Sequence, residues 1–150
     1  MASATMLMFK PDCVAGFAHG GREVGFGDVL GEAMRLGPDG WRLEMGAVVR
    51  LTRDMAERLY AAHRGKAFYG GLLDFASSGP AFVSVWSSRT ADAWRAGRDI
   101  VEAIRRAYGR DQLAATGPAN LVHGSDGPEA AAEEVRWAMR VFGTIASKFS

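Results

Sequence analysis

The pattern of apolar and polar positions predicts short strands mixed with amphipathic helices. Residues 5–9 form an apolar run that ends at residues 10–12, Lys-Pro-Asp, which is typical of a buried strand with polar residues at its end. Residues 41–51 and 81–86, which are rich in β-branched and aromatic side chains, predict two further strands. Leu121 and Val122 indicate a short fourth strand.

Apolar side chains at helical spacing alternate with these strands. Thr52 is a good N-cap residue, and Asp126 followed by Glu129 three residues later indicates a capping box for a helix over 128–142. Residues 13–27 hold many glycines and are predicted to be a loop. The remaining helical segments are expected over 28–36, from Thr52, over 70–77, from Thr90 and around 100–108.

Strands and helices do not alternate strictly, so the sequence predicts an α+β sandwich with helices over an antiparallel sheet. The order of the elements fits a split β-α-β arrangement. A length of 150 residues, without repeats or a linker, indicates one domain over 1–150.

Composition limits the possible functions. The formal net charge is +1, which argues against a strongly basic nucleic-acid-binding arm. Cys13 is the only cysteine, so an intramolecular disulfide and a cysteine zinc site are excluded. No apolar stretch reaches the roughly 18–20 residues of a membrane span, and the first nine residues lack a secretory pattern. We therefore expect a soluble cytoplasmic protein.

The common phosphate-binding motifs are absent. No G-x-x-x-x-G-K-[ST] or G-x-G-x-x-G sequence occurs, so a phosphate site would have to be built from side chains. Arginine is far more frequent than lysine, and six arginines fall within residues 89–110. Guanidinium groups suit bidentate phosphate binding, although a solvated helix face is the simpler interpretation of this cluster.

Three histidines could carry chemistry. His19 lies in the glycine-rich segment, and His63 is placed to cap the C-terminal end of a helix. His123 follows a short apolar strand and precedes a helix whose N-terminus could attract phosphate oxygens. Glu134, at the edge of that helix's apolar stripe, could fix the tautomer of an imidazole and leave its other nitrogen as a nucleophile. A structural, hydrogen-bonded histidine is the alternative.

Two motifs taken together resemble the nucleoside diphosphate kinase family. They are Lys10-Pro-Asp at the end of the first strand and Asn120-x-x-His123-Gly-Ser-Asp near the end of the chain. Between them the resemblance continues through residues 59–72, Ser-Gly-Pro at 78–80 and Gly-Arg at 97–98, so that it covers residues 5–142. It implies a ferredoxin-like α/β sandwich with a four-stranded antiparallel sheet covered by helices.

The resemblance also implies an activity. His123 would take the γ-phosphoryl group of a nucleoside triphosphate and give it to a nucleoside diphosphate, in ping-pong fashion. Glu134 and Ser125 match the groups that hold the histidine. Phe68 matches the aromatic on which the base stacks. The other matching nucleotide-binding positions are Lys10, Tyr60, Leu72, Arg98, Arg110 and Asn120.

The family further implies Mg²⁺ that is carried by the nucleotide phosphates, with no metal site in the protein itself. It implies a homo-oligomer assembled from dimers into tetramers or hexamers. Membrane and nucleic-acid partners are not expected.

The sequence departs from the family pattern in several places. Cys13 replaces a glycine, the segment over 15–27 is longer, and the segment between residues 98 and 110 is shorter. Thr90, Arg105 or Arg106 could substitute for a phosphate-contacting threonine that has no clear counterpart. Two alternative functions therefore stay open: a regulatory nucleotide-binding homologue with little turnover, and a phosphotransferase specialised for one acceptor in a biosynthetic pathway.

Overall fold

A four-stranded antiparallel sheet forms the centre of the protein in a computed structural model that describes residues 3–112 and 116–147. The strands of the described residues are β1 (Ser3–Phe9), β2 (Phe17–His19), β3 (Arg22–Val24), β4 (Arg42–Arg50), β5 (Pro80–Ser88) and β6 (Val122–Gly124). The main sheet has the order β4-β5-β1-β6, and β2 pairs with β3 in a separate hairpin. The predicted extent of one domain over 1–150 goes beyond these described residues.

Helices cover both faces of the main sheet. A short 3₁₀ turn, Ala61–His63, connects the third and fourth helices. The α-helices of the described residues are α1 (Pro11–Val14), α2 (Phe26–Arg35), α3 (Arg53–Leu59), α4 (Tyr69–Ala76), α5 (Ala93–Ala107) and α6 (Pro128–Ser147). None of these helices is long and apolar enough to cross a membrane, as far as the described part of the chain goes.

The central strand β1 divides the core into two clusters. Met6 and Met8 point to one face of the sheet, where α3, α4 and α6 pack, whereas Leu7 and Phe9 point to the other face, where α2 and α5 pack. This alternation follows from the two-residue period of a strand. Residues 6–9 are fully buried, which explains the unbroken apolar run in the sequence. The predicted α+β fold with a helix-covered antiparallel sheet is confirmed.

Helix α5 is continuous, and this corrects the prediction of two separate helical pieces. It begins at Ala93 rather than at Thr90, and it runs through Gly97 to Ala107. Gly97 is retained in the helix because the backbone lies close to β1: a Cβ atom there would be 3.1 Å from Thr5 Cγ2. Gly97 therefore permits close packing of this helix on strand β1.

Two further local predictions are wrong. Residues 13–27 are not all loop, because they contain the β2–β3 hairpin, in which Gly20 and Gly21 form the turn with φ of +59° and +78°. Two successive residues with positive φ are the requirement of the tight hairpin turn that matches strand twist. The capping box predicted from Asp126 is also not formed. Gly127 is the residue directly before α6, and its carbonyl oxygen accepts a hydrogen bond from the Ala131 amide, so Gly127 and not Asp126 occupies the N-cap position.

Candidate active site

His123 lies in the edge strand β6, paired with Met8 of β1. Its Nε2 atom is 2.7 Å from Glu134 Oε1 on α6, and Ser125 Oγ donates to the same oxygen at 2.9 Å. An ionised carboxylate only accepts hydrogen bonds, so Nε2 carries the proton and the neutral ring has its lone pair on Nδ1. The side chains of His123 and Glu134 are 18% and 15% exposed, so the pair lies near the surface but is largely screened from water.

A strained turn leads the chain into β6. Leu121 has φ of +74°, and the Val122 amide donates to the Asn120 carbonyl oxygen at 2.9 Å, which is the geometry of the rare classic γ-turn. Asp12 Oδ2 accepts from the Leu121 amide at 3.1 Å, and the Lys10 amide donates to the Leu121 carbonyl oxygen at 2.8 Å. The segment after β1 therefore holds this turn in place and sets the positions of Asn120 and His123.

Lys10 is buried next to this turn, and no carboxylate of the described residues forms an ion pair with it. Its Nζ donates to Asn120 Oδ1 at 2.6 Å and to the Pro118 carbonyl oxygen at 3.1 Å, and the residue is 5% exposed. The pKa of Lys10 is lowered to about 8, mainly by burial and then by the charge of Arg105, and the charge of Asp12 partly opposes the change. A buried cation held only by carbonyl oxygens is suited to receive an anion.

Arg105 on α5 is the second cation of this cluster. Its Nη2 donates to the Val122 carbonyl oxygen at 2.6 Å, and its Nε contacts the Asn120 carbonyl oxygen at 3.4 Å. Burial, and then the nearby charge of Arg98, lower the pKa of Arg105. From the sequence, Arg105 was a candidate only as a substitute for a missing phosphate-contacting threonine. A usable signal was its spacing of seven residues from Arg98, which places both side chains on one face of a helix.

The other two predicted arginines have different surroundings. Arg98 Nη1 lies 3.0 Å from Asp126 Oδ1, and its Nε lies 3.3 Å from Glu102 Oε1. Arg98 therefore connects α5 to the turn after His123. Arg110 stacks on Phe17 of β2, with 5.1 Å from the guanidinium carbon to the ring centroid, and Nη1 donates to the Tyr108 carbonyl oxygen at 2.8 Å. The structure places Arg110 against the hairpin and not together with Lys10 and Arg105.

Three side chains of the α3–α4 segment were predicted to contact nucleotide. Tyr60 is 4% exposed, and its ring lies edge-on to His123 with 5.7 Å between centroids. Its hydroxyl is buried without a hydrogen-bond partner among the described residues, and burial raises the pKa of Tyr60. Phe68 is 55% exposed, with its ring 5.3 Å from that of His63. Leu72 packs against the core cluster beneath α4.

A cavity of about 330 Å³ opens beside His123 between α3 and α6. His123, Tyr60 and His63 contribute to its wall, so the imidazole is accessible from this side. Cys13 does not line this cavity. It is buried in the core cluster that contains Leu7 and Phe9, and burial raises the pKa of its thiol to about 12. A thiol with that pKa is uncharged at neutral pH and is not a nucleophile.

The fold and these contacts define a class of protein. A carboxylate-held histidine close to a buried lysine and a half-buried arginine, on an antiparallel sheet covered by helices, is the arrangement expected of a phosphotransferase that uses a histidine as its nucleophile. Comparison with known proteins agrees with this class. The model of the family described as "Nucleoside diphosphate kinase" matches residues 3–142.

Individual relatives cover most of the chain. A nucleoside diphosphate kinase of Mycobacterium sp. (strain MCS) is 37% identical over 139 residues, which are 90% of this chain and 95% of the relative. That of Halorhodospira halophila is 36% identical over 138 residues, with 89% of each chain covered. The chain belongs to the nucleoside diphosphate kinase family, and it is a phosphotransferase. The predicted family and enzyme class are confirmed.

Solved structures of the family share the fold. The Aquifex aeolicus nucleoside diphosphate kinase superimposes with a TM-score of 0.67 at 26% identity, covering 91% of this chain and 94% of that one. The Halobacterium salinarum enzyme, solved in complex with CDP, gives a TM-score of 0.65 at 26% identity, covering 91% and 87%. The ferredoxin-like sandwich that the resemblance implied is therefore also the fold of this chain.

Proposed function

We propose that the protein transfers the γ-phosphoryl group of a nucleoside triphosphate to a nucleoside diphosphate through a phosphohistidine at His123. The observation that carries this proposal is the 2.7 Å contact between His123 Nε2 and Glu134 Oε1. It directs the proton to Nε2 and leaves the lone pair of Nδ1 for attack on phosphorus. Catalytic roles are accordingly proposed for His123, for Glu134 and Ser125, which hold it, and for Lys10.

The transfer takes two balanced steps. In the first, Nδ1 forms a bond to the γ-phosphorus while the bond from that phosphorus to the β–γ bridging oxygen breaks, and the nucleoside diphosphate leaves with the electron pair. In the second, a terminal oxygen of an acceptor diphosphate attacks the phosphorus, and the P–N bond breaks to restore the imidazole. A single site therefore serves donor and acceptor in turn, which gives ping-pong kinetics.

Cations and donors around His123 supply the electrostatic part of catalysis. Lys10 and Arg105 would neutralise charge on the phosphoryl oxygens, which is the main requirement of phosphoryl transfer. The unpartnered Tyr60 hydroxyl, which is buried beside His123, and the Asn120 amide would complete the hydrogen bonding. Arg105 is the arginine we assign to the phosphates, because it shares the Asn120 neighbourhood with Lys10.

Arg98 remains a proposed contact farther along the phosphate chain, since it lies on the same face of α5 as Arg105. Its ion-pair partners, Glu102 and Asp126, are exposed carboxylates that an anion could displace. Arg110 is proposed for a distal nucleotide contact only, because its present contacts are with the hairpin. Phe68 and Leu72 are proposed to contact the base. Stacking on an exposed aromatic tolerates every base, so broad nucleotide specificity is expected.

Mg²⁺ fits this site as an ion that arrives with the nucleotide. Among the described residues, no three histidine, cysteine, aspartate or glutamate side chains converge to form a cage. Mg²⁺ commonly uses one or two carboxylates together with substrate phosphates. Asp126 lines the cavity with His123, and its side chain is 80% exposed, so it is the residue we propose to help hold the ion. The ion would add positive charge on the phosphate oxygens.

Further proposals concern the molecule as a whole. We propose that residues 1–150 form one nucleoside diphosphate kinase-like domain, that the protein acts in the cytoplasm, where its nucleotide substrates are, and that it is a homo-oligomer. The apolar side chains exposed on β4, Met45 at 44% and Val48 at 57%, support self-association. Tetramers or hexamers built from such dimers are the expected assemblies.

Labelling with [γ-³²P]ATP tests the reaction directly. The protein is expected to acquire label that survives alkali and is lost in acid, and His123→Ala is expected to acquire none. His63→Ala is the matched control, because His63 lines the same cavity but contacts Lys66 rather than Glu134. Alkali-stable label on the His123→Ala protein would refute the proposal.

A panel of acceptors separates the alternative functions. The labelled protein is expected to pass its phosphoryl group to several nucleoside diphosphates at comparable rates. Transfer to one acceptor alone would indicate the specialised phosphotransferase. Nucleotide binding by calorimetry without any labelling of the protein would indicate the regulatory homologue.

A further inference from the structure

The cavity between α3 and α6 extends well beyond His123. Its wall combines small and apolar side chains of the two helices, including Leu59, Ala130 and Trp137, with charged groups at both ends. Lys10, Arg105 and Asn120, which form the buried cation cluster, do not line it, and neither does Phe68. The cavity therefore shares His123, Glu134, Tyr60 and Asp126 with the proposed phosphoryl-transfer machinery. Its far end, at Arg136, Trp137 and Arg140, has its own lining.

Charges along this cavity are separated by sign. The carboxylates of Asp126, Glu133 and Glu134 lie towards the N-terminal end of α6, near His123, whereas Arg136 and Arg140 follow on the next turns of the same helix. A rise of about 1.5 Å per residue puts Arg140 roughly 9 Å farther along the helix than Glu134. The far end of the cavity is therefore cationic while the end at His123 is acidic.

The two arginines of α6 are free to bind an anion. Both are exposed, and neither has an ion pair among the described residues, whereas Glu134 is engaged by His123 and Asp126 by Arg98. Arg58 of α3 also lines the cavity, and the ion pair that it forms within the described part of the chain is an exposed one, with Asp54 at 3.2 Å. Residues 136 and 140 are four apart, so their guanidinium groups lie on the same side of the helix and can converge on one phosphate.

We propose that this cavity is a second ligand site, for a phosphate monoester whose phosphate pairs with Arg136 and Arg140 and whose apolar body lies over Trp137. Guanidinium groups favour phosphate because the planar fork matches two of its oxygens. A volume of about 330 Å³ is at the lower end of small-molecule sites, which suits a compact monoester better than a nucleotide. The site goes beyond the proposed phosphotransfer and does not require it.

Trp137 provides a direct reporter of binding. It lines the cavity, and its indole Nε1 donates to the Met55 carbonyl oxygen at 2.9 Å, so a ligand in the cavity changes its surroundings. The experiment is a titration of protein labelled with ¹⁵N in the tryptophan indoles, with phenyl phosphate as the probe. Trp137→Phe assigns the signal, and the other indole signals serve as internal references.

Phenyl phosphate is expected to shift the Trp137 indole signal with saturation, and inorganic phosphate, which lacks the apolar body, is expected to bind at least tenfold more weakly. Arg136→Gln with Arg140→Gln is expected to weaken phenyl phosphate binding at least tenfold, and each single substitution to weaken it less. Arg50→Gln, an exposed arginine on the distant strand β4, is the matched control and is expected to leave binding unchanged.

Two results would overturn the proposal. One is the absence of a saturable Trp137 shift, or an equal shift in the double variant. The other is an equal loss of binding in Arg105→Gln, because the probe would then occupy the buried cation cluster rather than this cavity. Since the readout is binding, it is independent of the phosphohistidine assay, so the second site and the phosphotransfer can fail separately.

Discussion

At the scale of single residues, one carboxylate oxygen of Glu134 fixes the orientation of His123. Glu134 Oε1 receives hydrogen bonds from His123 Nε2 and from Ser125 Oγ, so two donors on β6 and the turn after it are held by one group on α6. Strand β1 lies behind this arrangement, with Thr5 Oγ1 3.4 Å from Ser125 Oγ. The imidazole is therefore fixed in orientation and tautomer before any substrate binds.

Glu134→Gln is expected to slow phosphohistidine formation about 10- to 100-fold. The amide keeps an acceptor oxygen but removes the negative charge that stabilises the imidazole as it becomes positively charged, and hydrogen bonds to charged groups are worth about 1.5–3 kcal/mol. Ser125→Ala is the control for simple loss of a contact and is expected to cost only a few-fold. Single-turnover labelling from ATP measures both rates, and a wild-type rate in Glu134→Gln would contradict this role.

Lys10 makes the site sensitive to pH. Its pKa in the folded protein is about 8, below the ordinary 10.5, so its charge is present below pH 8 and is lost as the pH rises through that value. Affinity for a nucleoside diphosphate is therefore expected to fall several-fold between pH 7.5 and 9.5. Calorimetry at a series of pH values measures this decline. Lys10→Met is expected to bind weakly at every pH, and a decline of the same steepness in that variant would assign the effect to another group.

The same pKa predicts an opposite trend in stability. Between pH 8 and 10.5 the unfolded chain keeps the Lys10 proton while the folded protein has lost it, so the unfolding free energy rises with pH across this window. The contribution is at most about 3 kcal/mol. Urea denaturation of the wild type against Lys10→Met isolates it, and parallel pH dependences in the two proteins would contradict the assignment.

At the scale of elements, the γ-turn before β6 stores strain that the segment after β1 offsets. A non-glycine residue with positive φ costs of order 1–3 kcal/mol, and Leu121 is also fully buried, so it cannot relax towards solvent. Asp12, at the start of α1, compensates by accepting from the Leu121 amide. The end of β1 and the start of β6 are thereby coupled, although they lie more than a hundred residues apart in the sequence.

Asp12→Ala is expected to reduce stability by about 1–3 kcal/mol and phosphohistidine formation about tenfold, because the buried Leu121 amide loses its acceptor and the turn that positions His123 relaxes. Asp12→Asn retains an acceptor oxygen and is expected to recover most of both properties. Urea denaturation and single-turnover labelling measure them. If Asp12→Asn were as impaired as Asp12→Ala, the negative charge of Asp12 rather than its hydrogen bond would be responsible.

Elements with strong apolar periodicity were predictable, and the orientation of the side chains between them was not. The run at 5–9 and the stripe at Val135, Ala138 and Phe142 correspond to β1 and α6, whose burial decides their pattern. Which arginine of residues 98–110 lies beside Lys10 and Asn120 depends instead on the rotation of α5. That rotation follows from the contact of Gly97 with Thr5 and Leu7, a tertiary contact that a single sequence does not display.

The same limit applies to hydrogen-bonded turns. Lys10, Asn120 and His123 were recognisable from their motifs, but the γ-turn that brings them together appears only when the backbone is known. Arg110 matched the family by its place in the sequence, whereas the β2–β3 hairpin gives it a different partner, Phe17. The motifs therefore identified Lys10 and Asn120, which the structure brings into contact, but the place of Arg110 in the sequence did not predict its contact with Phe17.

At the scale of the whole molecule, the open edge of the sheet predicts how copies of the chain associate. Strand β4 is an edge strand of nine residues, paired only with β5, and it exposes Met45 and Val48. Neighbouring α2 adds Met34, which is 55% exposed. A long edge with exposed apolar side chains is a template for pairing unless it is covered, so we expect a second copy to cover it.

Val48→Lys is therefore expected to dissociate the oligomer, because it places a charge at the centre of the buried edge, while the monomer keeps its fold since Val48 is 57% exposed. Sedimentation velocity at several protein concentrations measures the change in mass. Met139→Lys is the matched control. Met139 is 48% exposed on α6, a helix that packs on the face of the sheet opposite to α2. Its replacement is expected to leave the mass unchanged. An unchanged mass for Val48→Lys would mean that copies meet through a different surface, and the exposed apolar side chains of β4 would then need another partner.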